Sequence, residues 1–390
     1  MKRLSGILLF NIMLLFTCLS TYAQTVEMTA IRTQLKAHKK ELYYPNSVGR
    51  FYKQAGYKLV WVAPDTVKTH AWDAMLLLDC VVQYGMSHAN YHPKQLLYDQ
   101  LHLLMSQPEN ASAGQKAWYD ILLTDAILTF INNLHYGRLN PVWLPGKTDK
   151  QRLYGFNAGA VLQKALSDKN FKSIVIGVQP KDKAYTSLQY QMHLATGLRT
   201  GDCYVTPESD IRLMAVNMER LRWTGKKERI FIQINIPSQM LTFHKDGSDY
   251  KFKIVQGISE IGFMQIDREI SSFKLADSKI YFSVSGDNNG HIQNATGKEL
   301  PQISNQPISN GLLVSDREKL VRLLLNSDGN TNSKTANRAI ISTQIKNYTL
   351  NKAIPIHLTY FTCEMKNGVL IKYKDIYKLD KVLQKGLYDK

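Results

Sequence analysis

Cysteine is scarce in this chain, four in 390 residues. Cys18 lies in the leading segment, so Cys80, Cys203 and Cys363 remain for the folded part. That excludes a disulfide-rich scaffold and leaves open whether two of them pair or all stay as thiols. Acid is also short: 32 Asp and Glu stand against 49 Lys and Arg, a formal net charge of +17. Such a balance favours anionic partners, although the basic residues look scattered along the chain. There is no HExxH, no CxxC and no phosphate-cradling Gly/Lys loop, so no motif-borne metal or nucleotide chemistry is expected. No cofactor is expected either. Zinc-finger patterns, basic repeats and internal repeats are all missing, and with export expected this argues against nucleic acid as partner.

Long apolar runs are lacking after the first segment, and no later stretch could span a bilayer. The start itself, MKRLSGILLFNIMLLFTCLSTYAQ, has a basic opening at Lys2 and Arg3, an apolar core and a small-residue site at Thr21-Tyr22-Ala23. It reads as a secretory signal over residues 1–23, cleaved before Gln24, which leaves no stable transmembrane anchor.

Residues 25–208 read as mostly helical. The apolar density of 71–86 and the spacing by threes and fours in 118–137 predict helices, the second ended by Gly137 and Pro141. Asp120 and Asp125 on it are expected to be solvated or capping carboxylates. Trp143, in GRLNPVW, is expected in the core. His88 and His92 are four apart, but HANYHP reads as loop, so they are not expected to hold a metal.

From about 209 the period changes. A helix over 211–223 is followed by strict alternation of Ile230, Ile232, Ile234 and Ile236, the mark of a strand. Met240–His244 and Tyr250–Val255 are expected to continue an antiparallel meander through the turn at Lys245-Asp246-Gly247. Further strands are expected at 279–285, 354–365 and 368–375, the last two joined by a hairpin at Asn367-Gly368. His244 is expected at the surface, and a helix is expected over 316–327. The fold class is α+β, a helical N-terminal domain followed by a mainly-β domain over 209–390.

Several segments resemble one family. FYKQAGYKLVWV (51–62), QYGMSHANYH (83–92), LLTDAILTFINNLHYGRLNP (122–141), NMERLRW (217–223), INIPSQMLTFHKDG (234–247) and IPIHLTYFTCEMKNGVLIKYKDIYKLD (354–380) are similar to stretches of the large periplasmic murein L,D-transpeptidases. Those enzymes join an N-terminal scaffold domain to a YkuD-type catalytic domain. The resemblance implies a periplasmic location, peptidoglycan or a cell-wall enzyme as partner, and acyl transfer through a cysteine thioester between stem peptides.

The same resemblance marks a defect. The family's S-H-G-C-[IV]-R motif falls on the turn PISNGLLVSDREKL (307–320). Ser309 and Gly311 match, but Asn310 replaces the His, Leu312 the Cys and Val314 the Arg. A leucine is no nucleophile, an asparagine no general base, and a valine holds no carboxylate. The upstream His-bearing segment also fails, with Ser283, Val284, Ser285 and Gly286 in its place. The expected role is therefore an inactive, L,D-transpeptidase-like protein that binds peptidoglycan or a peptidoglycan enzyme. Two alternatives remain open. One is an active cysteine enzyme with Cys363 as relocated nucleophile, and the other is a structural envelope protein that binds a protein partner. Alternation along 354–365 puts Cys363 on the same strand face as Phe361, the place of a small buried side chain.

Overall fold

The computed structural model describes residues 25–63, 69–140, 143–150, 156–197, 206–224, 229–235, 237–238, 240–245, 247–253, 269–276, 279–284, 292–293, 299–300, 356–375 and 378–388. Among these, helix predominates. The helices are α1 (residues 25–37), α2 (Pro45–Gln54), α3 (Ala71–Asp79), α4 (Tyr98–Ser106), α5 (Ala113–Tyr136), α6 (Pro145–Lys150), α7 (Ala158–Leu166), α8 (Phe171–Ile176), α9 (Lys183–Gly197), α10 (Glu208–Trp223) and α11 (Leu379–Tyr388). Among the described residues no helix is long and apolar enough to cross a membrane. The chain divides into two compact units, one of Met1–Lys181, Gln189–Val205 and Leu387–Lys390, the other of Asp182–Leu188 and Thr206–Gly386.

The first unit is built around α5. Ser112 and Gln115 form a capping box at its start: Ser112 Oγ accepts the Gln115 N–H and Gln115 Oε1 accepts the Ser112 N–H. This satisfies donors that a helix start otherwise leaves unpaired. Gly137, at φ 82° and ψ 154°, ends the helix in a conformation that suits glycine. From Tyr119 to Leu134 every residue of α5 is buried, so the helix meets protein on all sides, as a central core helix does. Val48, Phe51 and Tyr52 of α2, Ala74 and Met75 of α3, Leu162 of α7 and Phe171 of α8 pack into the same core as its Ile127 and Phe130.

The helix expected over 71–86 is shorter. It stops at Asp79, and a 3-10 turn at Val81–Tyr84 completes the segment. Trp143 is half-buried rather than in the core: the Lys147 ammonium sits 4.9 Å from its ring centroid. Asp120 and Asp125 are not solvated; both are wholly buried.

In the second unit the expected meander is present. β1 (Ile230–Asn235), β2 (Met240–Lys245) and β3 (Ser248–Lys253) pair antiparallel, with Ile230 opposite Lys245 and Met240 opposite Lys253. Together with β4 (Glu269–Ala276), β5 (Lys279–Val284) and β8 (Ile356–Thr359) they form an open sheet in the order β3-β2-β1-β8-β4-β5. β6 (Ile292–Gln293) and β7 (Glu299–Leu300) form a separate pair. β8 runs parallel to β1, and β4 was not anticipated. His244 is half-buried, stacked 4.1 Å from Phe231, rather than lying freely at the surface.

The strand expected over 354–365 is broken. β8 ends at Thr359, and a new strand, β9 (Cys363–Lys366), pairs with β10 (Val369–Lys372). Asn367 and Gly368 both take positive φ, 52° and 78°, which is the hairpin turn their sequence predicts. The sheet is open and stands with α10 and α11, so a mainly-β domain is only partly realised among the described residues. The expected helix at 316–327 lies outside them.

Candidate functional site: a cation-lined groove on the helical unit

The turn that carries Ser309, Asn310, Gly311, Leu312 and Val314 lies outside the described residues, as does Cys203. The expected site residue that can be placed is Cys363. Its thiol is 1% exposed and lies 3.9 Å from the Leu213 carbonyl. Burial pushes its pKa far above that of a free thiol, and the Asp380 carboxylate adds to this while Arg220 opposes it. A thiol held protonated in this way is a poor nucleophile.

Around Cys363, two of the segments that carried the family resemblance meet. Asn217 on α10 accepts the Thr362 N–H at 2.8 Å and donates to Thr362 Oγ1 at 2.9 Å. Arg220, fully buried, lies 2.6 Å from Asp380 Oδ1 and 5.0 Å from the Tyr360 ring centroid. Asp375 accepts from Tyr360 Oη and from the N–H groups of Leu379 and Asp380, which caps the start of α11. Asn217 and Arg220 of NMERLRW thus bind the tail and hold this unit together. Cys80 is exposed, and both it and Cys363 are free thiols. His88 and His92 do not converge: His88 Nε2 reaches the Asp79 carbonyl, whereas His92 Nε2 lies 2.7 Å from Asp125 Oδ2. Among the described residues no cluster of His, Cys, Asp and Glu could hold a metal ion.

The feature with chemical capacity is on the first unit. Three buried carboxylates fix α2. Asp125 accepts the N–H groups of Tyr43 and Tyr44 just before the helix, at 2.9 and 2.8 Å. Asp149, on α6, accepts those of Asn46 and Ser47 in its first turn, at 3.1 and 2.7 Å. Asp120 accepts from Tyr52 Oη at 2.5 Å and from the N–H groups of Val60, Trp61 and Val62. Asp149 thus caps α2 from distant sequence, Asp125 holds the two residues that lead into it, and Asp120 ties Tyr52 to the backbone of 60–62. Burial raises Asp120 to about 6 even though these four donors pull the other way.

With α2 fixed, its two faces have different fates. Val48, Phe51 and Tyr52 enter the core. Asn46, Gly49, Arg50 and Lys53, at helical spacing, face outward and line a groove of about 670 Å³. Arg32, Leu35 and Lys36 of α1 line it too, with Lys39, Pro45, Tyr57 and Lys150. Six lining residues are cationic (Arg32, Lys36, Lys39, Arg50, Lys53, Lys150) and none is acidic. Arg50 is anchored, its Nη2 donating to Ser47 Oγ at 2.8 Å and to the Asp149 carbonyl at 2.9 Å. The Arg32 guanidinium stacks 4.3 Å from the Tyr57 ring centroid. Among the described residues none of the six forms an ion pair.

This arrangement costs the fold something. Like charges at helical neighbours, as at Arg32 and Lys36, destabilise a helix by about 0.2–0.5 kcal/mol per pair. A glycine inside a helix costs about 1 kcal/mol against alanine, yet a Cβ at Gly49 would meet nothing within 4 Å, so packing does not demand it. The groove was not foreseen. Lys and Arg at 32, 36 and 39, and at 50 and 53, carry a helical spacing that could have been read, whereas Lys150 joins them only through the fold.

Residues 46–192 match the family model described as Scaffold domain. No curated protein matches the chain.

Proposed function

We propose that this protein is a catalytically inactive, L,D-transpeptidase-like cell-wall protein that binds peptidoglycan. In this reading residues 1–23 direct export to the periplasm and are removed. Residues 25–208 are the scaffold domain, and 209–390 are a YkuD-like domain that has lost its chemistry. The observation that carries the reading is Leu312 standing where the resemblance requires the cysteine, in a chain whose residues 46–192 match a Scaffold domain. Asn310 and Val314 remove the base and the carboxylate-holding arginine of the same motif. The burial of Cys363 supports the reading further, since a relocated nucleophile there would have no access to substrate.

The test is incubation of the purified mature protein with tetrapeptide muropeptides under reducing conditions, read by mass spectrometry beside an active L,D-transpeptidase. No released D-alanine and no 3–3 dimer is the expected result. Product that disappears on Cys363→Ala would overturn it. Co-sedimentation with isolated sacculi tests the binding half, and a protein that stays in the supernatant at low salt would refute that half and favour a protein partner instead.

A further inference from the structure

We propose that the groove between α1 and α2 binds a carboxylate-bearing peptide, the kind of strand that peptidoglycan stems present. The inference rests on the wall-binding reading above and assigns it a place. The argument starts from charge. A concave surface with six cationic side chains and no acidic one selects an anion. Arg50, tethered to Ser47 and to the Asp149 carbonyl, is set in place before a ligand arrives, so less of its freedom is lost on binding.

The floor of the groove narrows the choice. Leu35, Pro45 and Tyr57 give it apolar surface, and Gly49 leaves space where any other residue would project. A bare phosphate has no use for apolar surface. A short peptide of small residues with free carboxylates uses both, its methyl groups on the apolar lining and its charges on the cations. The groove, about 670 Å³, is shallow and open, so the peptide is separated from an anionic membrane by the apolar lining and by experiment.

The experiment uses the full mature chain and a soluble tetrapeptide stem, followed by isothermal titration calorimetry. Wild type is compared with Lys36→Glu/Lys53→Glu, with Gly49→Gln, which fills the groove while favouring the helix, and with Lys164→Glu as an exposed cation elsewhere. Circular dichroism confirms that each variant is folded. The double reversal is expected to weaken binding at least about tenfold, and Lys164→Glu to leave it unchanged. Amidating the peptide's carboxylates should cause a similar loss, and raising salt should weaken wild type progressively. Gly49→Gln should weaken binding without altering net charge.

Equal affinity of wild type and the double reversal, equal affinity for the amidated peptide, or no binding of the peptide by wild type would each overturn the proposal. So would preference for anionic phospholipid vesicles over the peptide. Sacculus co-sedimentation separates this outcome from the broader reading. Sacculi bound equally by wild type and the double reversal would remove the groove assignment and leave wall binding intact. Peptide bound at the groove by a protein that ignores sacculi would remove the wall reading and keep the groove's chemistry.

Discussion

Asp149 Oδ1 accepts the Ser47 N–H at 2.7 Å across a sequence separation of 102 residues. That bond, with the one to the Asn46 N–H, sets the first turn of α2 and thereby the groove face of the helix. Asp149→Ala should leave these two donors and the Asn46 side-chain amide without their acceptor. Loss of a helix cap of this kind costs about 2 kcal/mol, a fall of roughly 4–8 °C in the unfolding temperature of a unit this size. Thermal unfolding followed by circular dichroism reads it, and Asp149→Asn, which keeps one acceptor, should fall between. An unchanged transition would mean that water replaces the carboxylate and that α2 is held by the core alone.

The part of this architecture legible in the sequence is the part with period. The apolar spacing of 118–137 gave α5, and the alternation of isoleucines gave β1 with its meander. The hairpin at Asn367-Gly368 followed from turn chemistry alone. The carboxylates of α5 were not legible, because a buried Asp and a solvated Asp look alike until the backbone it caps is located. Asp120 and Asp125 find their donors some sixty and eighty residues away in the chain. The break between β8 and β9 was hidden for a similar reason. Tyr360 and Thr362 continue the strand pattern of 354–365, but at the break the backbone of Phe361 bonds to the Asn235 side chain and the Thr362 N–H to Asn217 instead of to a neighbouring strand's backbone. The helical spacing of the groove's cations at 32, 36 and 39 and at 50 and 53 could be read, but not that the two runs face one another or that Lys150 joins them.

Asp120 should give stability a pH dependence of definite sign. Its pKa in the fold, raised to about 6 by burial, exceeds the value of about 3.9 expected for an unfolded aspartate. The folded state then holds the proton more tightly, so its advantage is complete below the unfolded pKa and declines as pH rises through the folded one. Two pKa units correspond to about 3 kcal/mol, which is the upper bound of the loss between roughly pH 4 and pH 6. Denaturant unfolding across that range should show the decline superimposed on other groups, and Asp120→Asn should remove it while lowering stability overall. A wild-type profile identical in slope to that of Asp120→Asn would show that the four donors, rather than burial, set the carboxyl's proton affinity.

Cys80 and Cys363 should respond oppositely to a thiol reagent. Cys80 is exposed at the end of α3, whereas Cys363 is buried with its thiol held protonated. Brief treatment of the native protein with iodoacetamide at neutral pH, then peptide mapping, should find Cys80 modified and Cys363 intact. Denaturant should expose both. Rapid native labelling of Cys363 would contradict its burial and would reopen the case for a nucleophile at that position.

The ion pair of Arg220 and Asp380 makes the sharpest stability prediction for the second unit. Arg220 is fully buried, so its charge depends on Asp380 at 2.6 Å and on the Tyr360 ring. Removing the acid leaves a cation in a medium that solvates it poorly, and such half-broken buried pairs cost about 3–5 kcal/mol. Asp380→Ala should therefore lower the unfolding free energy of this unit by that order. Thr362→Val should cost less, about 1–2 kcal/mol, because Asn217 retains the Leu213 carbonyl and the Thr362 N–H as partners and Arg220 loses only a long contact at 3.4 Å. The discriminating variant is Arg220→Met/Asp380→Leu. Apolar replacement of both partners removes the desolvated charge along with its counter-ion, so most of the Asp380→Ala loss should be recovered. A double variant as unstable as Asp380→Ala would mean that the loss came from packing around α10 and α11, with the charge making little difference.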